Sequence, residues 1–441
     1  MLSTQQWMKL QNEMKIQWQQ CIDEGLAVEE YEQLCTELTD SDEDREGEAI
    51  RLYEKMLTCP VCSDYSYVEP SDYEGIKAAS SGYFPKFNKE PSCEILRDKI
   101  NGAWTGRIFG CLLGKPIEGW RRDRLLPLLK KTDNYPLHKY IEKKDFTDEL
   151  IAELKIDPDA CWRDNAGDVT PADDDTNYTV FAMKLIETYG IDFTPSDVME
   201  GWLRWIPLIS TCTAERVAYR NAANGLIPPY TATCNNPYRE WVGAQIRGDF
   251  FGYIAPGNPE KAAEYAFRDG SISHIKNGIY GEMWVAAMHA AASVCDNMTD
   301  VIAAGLAVIP QKCRLCEDIK TVLDWHKQGI SAAEAIELIH ERYDEKFEHD
   351  WCHTNSNAMI VAIGLLWGNN DFAFSICLAV QAAFDTDCNG ATVGSIMGMF
   401  LGSSGISEKW AFTDKLQTSI DGYNVVTISQ LTKKTMELIN K

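Results

Sequence analysis

The sequence predicts an all-α protein, and three observations carry that reading. Capping side chains and first-turn prolines open apolar runs of helical spacing. Alternation of period two is scarce and β-branched clusters are few, so the βαβ pattern of a dinucleotide-binding sheet is absent. Two segments set glycine at every fourth residue, a spacing that lines one face of a helix.

The helix starts are explicit. Thr194-Pro195 and Asn258-Pro259 each place a capping side chain before a proline whose missing N–H costs nothing at the first helical position. Ser331-x-x-Glu334 is a capping box ahead of an Ala/Ile/Leu-rich run. The glycine stripes are Gly102, Gly106, Gly110 and Gly114, then Gly390, Gly394, Gly398 and Gly402. An interior glycine costs roughly 0.5–1 kcal/mol relative to alanine, so a close backbone approach is expected to offset the stripes. Arg107 and the shortness of both segments argue against a membrane dimer face.

Organisation along the chain divides into a helical N-terminal extension, 1–90, and a catalytic domain, 91–441. The extension carries an acidic patch at 40–44, and its Tyr-, Ser- and Pro-rich end (59–91) reads as a poorly structured connection. No stretch approaches 18 uninterrupted apolar residues and the N-terminus lacks a basic or apolar leader, so the chain is read as cytoplasmic, with no membrane partner. A net charge of −24 repels phosphates, which excludes nucleic acid as a partner and requires local positive charge, such as bound metal, for any anionic substrate. The fifteen cysteines form no regular framework, and the C-x-x-C pairs Cys59/Cys62 and Cys313/Cys316 lack the local partners that a zinc site needs. Trp202, Trp205 and Trp284 are read as core, and His353 reads equally as an N-cap or a site residue.

Two motifs carry the chemistry. Asp173-Asp174-Asp175-Thr176-Asn177 precedes an apolar-periodic run at 178–189, and three adjacent carboxylates are accommodated best at a helix N-terminus. Neighbouring side chains there diverge by about 100°, so they can address two separate cations. Asp385-Thr386-Asp387-Cys388-Asn389-Gly390 lies between an apolar stretch and the second glycine stripe, where charge is costly without a partner. Apart from Cys388 the donors are oxygens, which favours Mg²⁺ or Mn²⁺ over zinc, and five aspartates against two divalent ions nearly balance.

Segments 102–119, 172–180, 267–283 and 384–398 resemble the ADP-ribosylglycohydrolase superfamily, which includes the enzyme that reactivates dinitrogenase reductase, and the chain is read as that type. The resemblance runs from about residue 95 to the C-terminus. It implies an all-α ADP-ribosylglycohydrolase-like domain with two Mg²⁺ or Mn²⁺ ions that bind ribose hydroxyls. Carried onto this chain, it implies Asp173, Asp174, Asp175, Asp385 and Asp387 as metal ligands. Glu118, Asp174 and Asp387 become catalytic residues, and His274, Asn277, Gly278 and Asn357 line the substrate pocket. Relatives usually have Thr or Ser in place of Asp173 and Thr in place of Cys388. A thiol is a poor ligand for Mg²⁺, so Cys388 is set aside. Many relatives cradle a diphosphate on a glycine-rich stretch ending in Met-Arg. The nearest segment here, Ala244-Gln245-Ile246-Arg247-Gly248-Asp249, lacks the glycine pair and adds an acid.

The expected reaction is hydrolysis at a ribose C1, with release of ADP-ribose from a small-molecule or protein-linked acceptor. Two alternatives stand beside it: a nucleosidase-like N-glycosidase acting on a smaller ribosyl compound, and a non-catalytic family member.

Overall fold

The computed structural model describes residues 3–87 and 91–440. Among these residues are twenty-two α-helices and a single antiparallel ribbon of Lys415–Gln417 with Val425–Thr427, in which Leu416 faces Val426. No described helix is long and apolar enough to cross a membrane. The expected caps are present: Thr194 forms a capping box with Asp197, Asn258 caps Pro259–Gly270, and Ser331 caps Ala332–Arg342 by accepting Glu334 N–H, without the return bond from Glu334 that a full capping box has.

At the centre, the two glycine-striped helices, Cys93–Gly114 and Thr386–Leu401, lie antiparallel with their backbones in contact. A Cβ on Gly106 would stand 1.9 Å from the Gly394 carbonyl oxygen, and one on Gly110 would stand 2.0 Å from that of Gly390. The direction of packing follows from these partners, because Gly102 faces Gly398 while Gly114 faces Thr386. The C-terminal end of the first helix therefore meets the N-terminal end of the second. Helix Lys276–Ala292, buried from Asn277 onward, packs beside this pair, and Trp202 and Trp284 are fully buried with Trp205 at the edge of the core.

The extension has its own small core, built by Leu10, Met14, Cys21, Leu38, Leu52 and Met56 among others. It joins the main body through buried polar contacts. Arg239 and Lys276 both donate to Glu24, at 2.7 Å each, and Gln20 donates to Glu240 at 2.7 Å. The 60–87 stretch differs from the loose connection expected of its composition. Helix Tyr73–Ala79 sinks Ile76 into the main core, Val68 N–H donates to Lys312 O (2.8 Å), and Gly82 N–H donates to Ala307 O (3.0 Å). Its side chains are polar because they face solvent, while its backbone is paired to a distant part of the chain. The boundary expected at residue 90 falls within 88–90, outside the described residues.

Adding a methyl group at the helix contact forces two backbones apart, which no side-chain rotation relieves. Gly110→Ala is expected to lower unfolding free energy by ~3 kcal/mol or more. Gly47→Ala, where a Cβ meets only the end of Arg51 at 3.6 Å, is expected to leave it unchanged or slightly higher. Denaturant melts of both variants check this, and equal stabilities would contradict the contact.

Candidate metal centre

Two helix N-termini and one helix C-terminus converge at the end of the glycine pair. Asp173 caps the helix Asp174–Tyr189, accepting Asp175 N–H at 2.9 Å, and Asp385 occupies the N-cap position of Thr386–Leu401. Glu118 follows the short turn Lys115–Ile117 that ends the first glycine helix. Ligand atoms of Glu118, Asp385 and Asp387 lie within 4.8 Å of one another, as do those of Asp175, Asp387 and Cys388, and those of Cys111, Asp173 and Asp175. These overlapping groups bring together all the expected metal-site carboxylates except Asp174, which is half-buried at their edge.

Positive charge reaches this cluster from two side chains. The Lys115 ammonium pairs with Asp173 Oδ2, and the fully buried Arg107 guanidinium donates to Asp175 Oδ1 at 2.8 Å. Sequence reasoning missed both roles, although both residues lie inside the first quoted motif. An arginine between stripe glycines has to face carboxylates if its helix is buried. Asp175 Oδ2, Asp385 Oδ1 and Asp387 Oδ1 are buried without a hydrogen-bond partner.

Burial and mutual repulsion shift the carboxyls of the group. Burial and the Asp173 and Asp387 charges push the Asp174 carboxyl up to about 8. Burial and Asp173 push Asp387 up to about 6, against the pull of Lys115. The Asp387 charge holds the solvent-exposed Glu118 carboxyl well above its usual range. Against burial, which raises it, Lys115 holds Asp173 below the usual carboxylate range. Six carboxylates face two cations here, and three buried oxygens remain open, which is the donor set of hard divalent ions.

Asn357 stands behind the second motif. Its Oδ1 accepts from Asp385 N–H (3.1 Å) and Asn389 Nδ2 (2.8 Å), while its own Nδ2 donates to the carbonyls of Trp351 and His353. His353 is the N-cap of Thr354–Trp367. The other three residues bond to different parts of the chain. Asn277 spends both donors on Glu69 and Glu240, at 2.8 Å each, and Gly278 leaves room for the Arg239 carbonyl. His274 bonds Ser273 at 2.8 Å and lines a cavity of about 590 Å³ with Tyr73, Pro228, Pro229, Phe267 and Ile279. Among the described residues, no hydrogen bond of these three reaches the aspartates.

Asp23, His349 and His353 also have ligand atoms within 4.8 Å. His349 Nδ1 accepts from Trp241 Nε1 and His353 Nδ1 from Asn355 N–H, both at 3.1 Å. Burial pushes the His353 imidazolium down to about 3, so that ring is neutral. A neutral ring whose Nδ1 accepts carries its proton on Nε2, leaving that nitrogen no lone pair for a metal. The group is a contact between extension and core. All fifteen cysteines are free, and neither C-x-x-C pair joins a metal-ligating group among the described residues.

A family model described as ADP-ribosylglycohydrolase matches residues 92–439. Among solved structures, a chain described as "ADP-ribosylglycohydrolase-related protein complex" shares the fold with a TM-score of 0.51 at 17% identity, over 79% of this chain and 99% of that one. No match is found among curated proteins.

The raised carboxyls set a pH dependence. Between an ordinary carboxyl value near 4 and the raised values, the folded metal-free chain holds protons that the unfolded chain has released. Its stability therefore falls as pH rises from about 4 to about 8. The Tm of chelator-treated protein is expected to drop from about pH 5 to about pH 8, and the gain from added Mn²⁺ is expected to be larger at the upper end. A metal-free Tm that climbs across this range would falsify the repulsive cluster.

Proposed function

The chain belongs to the ADP-ribosylglycohydrolase family, and from that premise we propose that it is a glycoside hydrolase that uses two divalent cations, Mg²⁺ or Mn²⁺. It cleaves a ribose C1 linkage and releases ADP-ribose from an acceptor. The observation that carries this reading is the convergence of Asp175, Asp385 and Asp387, each with a buried unpartnered oxygen, beside the solvent-exposed Glu118. We assign the chain to the dinitrogenase-reductase-activating type on the order of its four motifs.

Asp173, Asp174, Asp175, Asp385 and Asp387 would hold the cations. Bound, these supply Lewis acidity toward ribose hydroxyls and offset the carboxylate charge. The protein's own groups do the rest. The carboxylates favour the positive charge that develops on the sugar as the C1 bond breaks. Glu118, exposed to solvent with its protonated form favoured by Asp387, is positioned to exchange a proton with the leaving group or the attacking water. Asn357 fixes the Asp385 backbone, and the family resemblance assigns His274, Asn277 and Gly278 to substrate contact.

A second reading, an N-glycosidase for a smaller ribosyl compound, is favoured by Arg247. This arginine of the diverged diphosphate segment is 1% exposed and tied to Glu215 (2.7 Å) and Asp269 (2.5 Å), so it offers no free charge to a diphosphate.

Thermal-shift titration in Mn²⁺ separates the two readings. ADP-ribose at about 100 times its Kd is expected to add about 2.7 kcal/mol of stability. Asp387→Ala is expected to lose that shift, along with ~100-fold or more of the release of ADP-ribose from a modified protein. A shift with nucleosides and none with ADP-ribose would put the second reading first. Full activity in Asp387→Ala would end both.

A further inference from the structure

Two thiols border the carboxylate cluster, and they differ in what surrounds them. Cys111 Sγ lies within 4.8 Å of oxygens of Asp173 and Asp175. On that side the charge is already met. Asp173 is engaged by the Lys115 ammonium and the Asp175 N–H, and Asp175 Oδ1 by Arg107. A divalent ion beside Cys111 would face two protein cations.

Cys388 is the third residue of the second glycine helix and is 6% exposed. Its Sγ lies within 4.8 Å of oxygens of Asp175 and Asp387. Here Asp175 Oδ2 and Asp387 Oδ1 are buried and unpartnered. Among the described residues no protein ammonium or guanidinium bonds Asp387. A thiol and two carboxylates, each with one open oxygen, thus lie together, and Asp387 has no directly bonded protein cation among the described residues.

We propose that Cys388 is a sulfur ligand of the metal centre, and that this makes the centre prefer Mn²⁺ and more thiophilic ions such as Co²⁺ and Cd²⁺ over Mg²⁺. The inference rests on the metal-centre reading above and narrows its choice of ion. Mg²⁺ demands oxygen donors and gains nothing from a thiol, whereas borderline and soft ions gain a full ligand. On binding, the S–H bond breaks, a metal–sulfur bond forms, and the proton leaves to solvent. Helix geometry explains the placement. Asp387 and Cys388 diverge by about 100° at the helix start, so the thiol faces Asp175 across the gap while Asp387 also serves the Glu118 side.

Co²⁺ titration of the full, chelator-stripped chain tests this, because a Co²⁺–thiolate bond gives intense near-ultraviolet charge-transfer absorption that oxygen ligands do not. Wild type and Cys111→Ser are expected to develop the band. Cys388→Ser is expected to lose it while still binding Co²⁺ by calorimetry, and its preference for Cd²⁺ over Mg²⁺ is expected to fall ~10-fold or more. Loss of the band in Asp387→Asn ties it to this centre and not to Cys59 or Cys62. Cys388→Thr, which restores an oxygen donor, serves as a second variant, and the wild-type spectrum is informative without any variant. Wild type that binds Co²⁺ without the band overturns the sulfur ligand and leaves the metal centre standing, as does a band that survives Cys388→Ser. Wild type that binds no Co²⁺ overturns both.

Discussion

The contact on which the rest depends is the backbone-to-backbone seam between helices Cys93–Gly114 and Thr386–Leu401. A four-residue period advances 40° beyond a full turn, so each stripe stays on one face for the length of these helices. Where alanine would carry its Cβ, each stripe glycine but Gly402 meets a carbonyl oxygen of the other helix, the arrangement of a Cα–H···O contact worth about half of an ordinary hydrogen bond in isolation. These contacts and the surrounding burial offset roughly 0.5–1 kcal/mol per interior glycine. The seam also has a direction. Because the helices run antiparallel, the turn that carries Lys115 and Glu118 is delivered to the helix start that carries Asp385 and Asp387.

Charge is the second constraint. A helix N-terminus offers about half a positive charge, enough for one carboxylate and not for three. Arg107 makes up part of the difference from inside the seam itself. Its guanidinium reaches Asp175, Thr392, the Ile246 carbonyl and Asp249, so one side chain ties the first glycine helix to the aspartate helix, the second glycine helix and the 245–247 turn. Lys115 covers Asp173. Nothing among the described residues does the same for Asp387, and that asymmetry distinguishes the two sides of the centre.

Most of the fold was legible in the sequence, because its signals are local. Caps at Thr194, Asn258 and Ser331, a helix start at Asp173 and the glycine periods all act within one or two turns. The candidate site was legible as a list of carboxylates. Which oxygens remain open was not, since that depends on Arg107 and Lys115 reaching residues about 60 positions away. The same limit explains Asn277. Its partner Glu69 lies 208 residues earlier, in a segment whose composition suggested a loose connection. Asn357 sat in a polar cluster that suggested substrate contact, yet both ends of its amide are spent on the chain.

Asn357 also shows why the extension and the centre belong to one structure. Its amide is fixed in orientation, with two carbonyls on the nitrogen and two donors on the oxygen, so it cannot rotate without losing bonds at both ends. The two carbonyls come from Trp351 and His353, at the corner between helices Glu348–Cys352 and Thr354–Trp367. That corner is held from the other side by the extension, where Asp23 accepts His349 Nε2–H at 2.9 Å. Three links therefore join Asp23 to the backbone of Asp385: a hydrogen-bonded histidine, a helix corner and a doubly anchored amide. Loosening the first removes the support that holds the corner against the second metal motif, even though no described residue of the extension approaches the aspartates through a bond of its own.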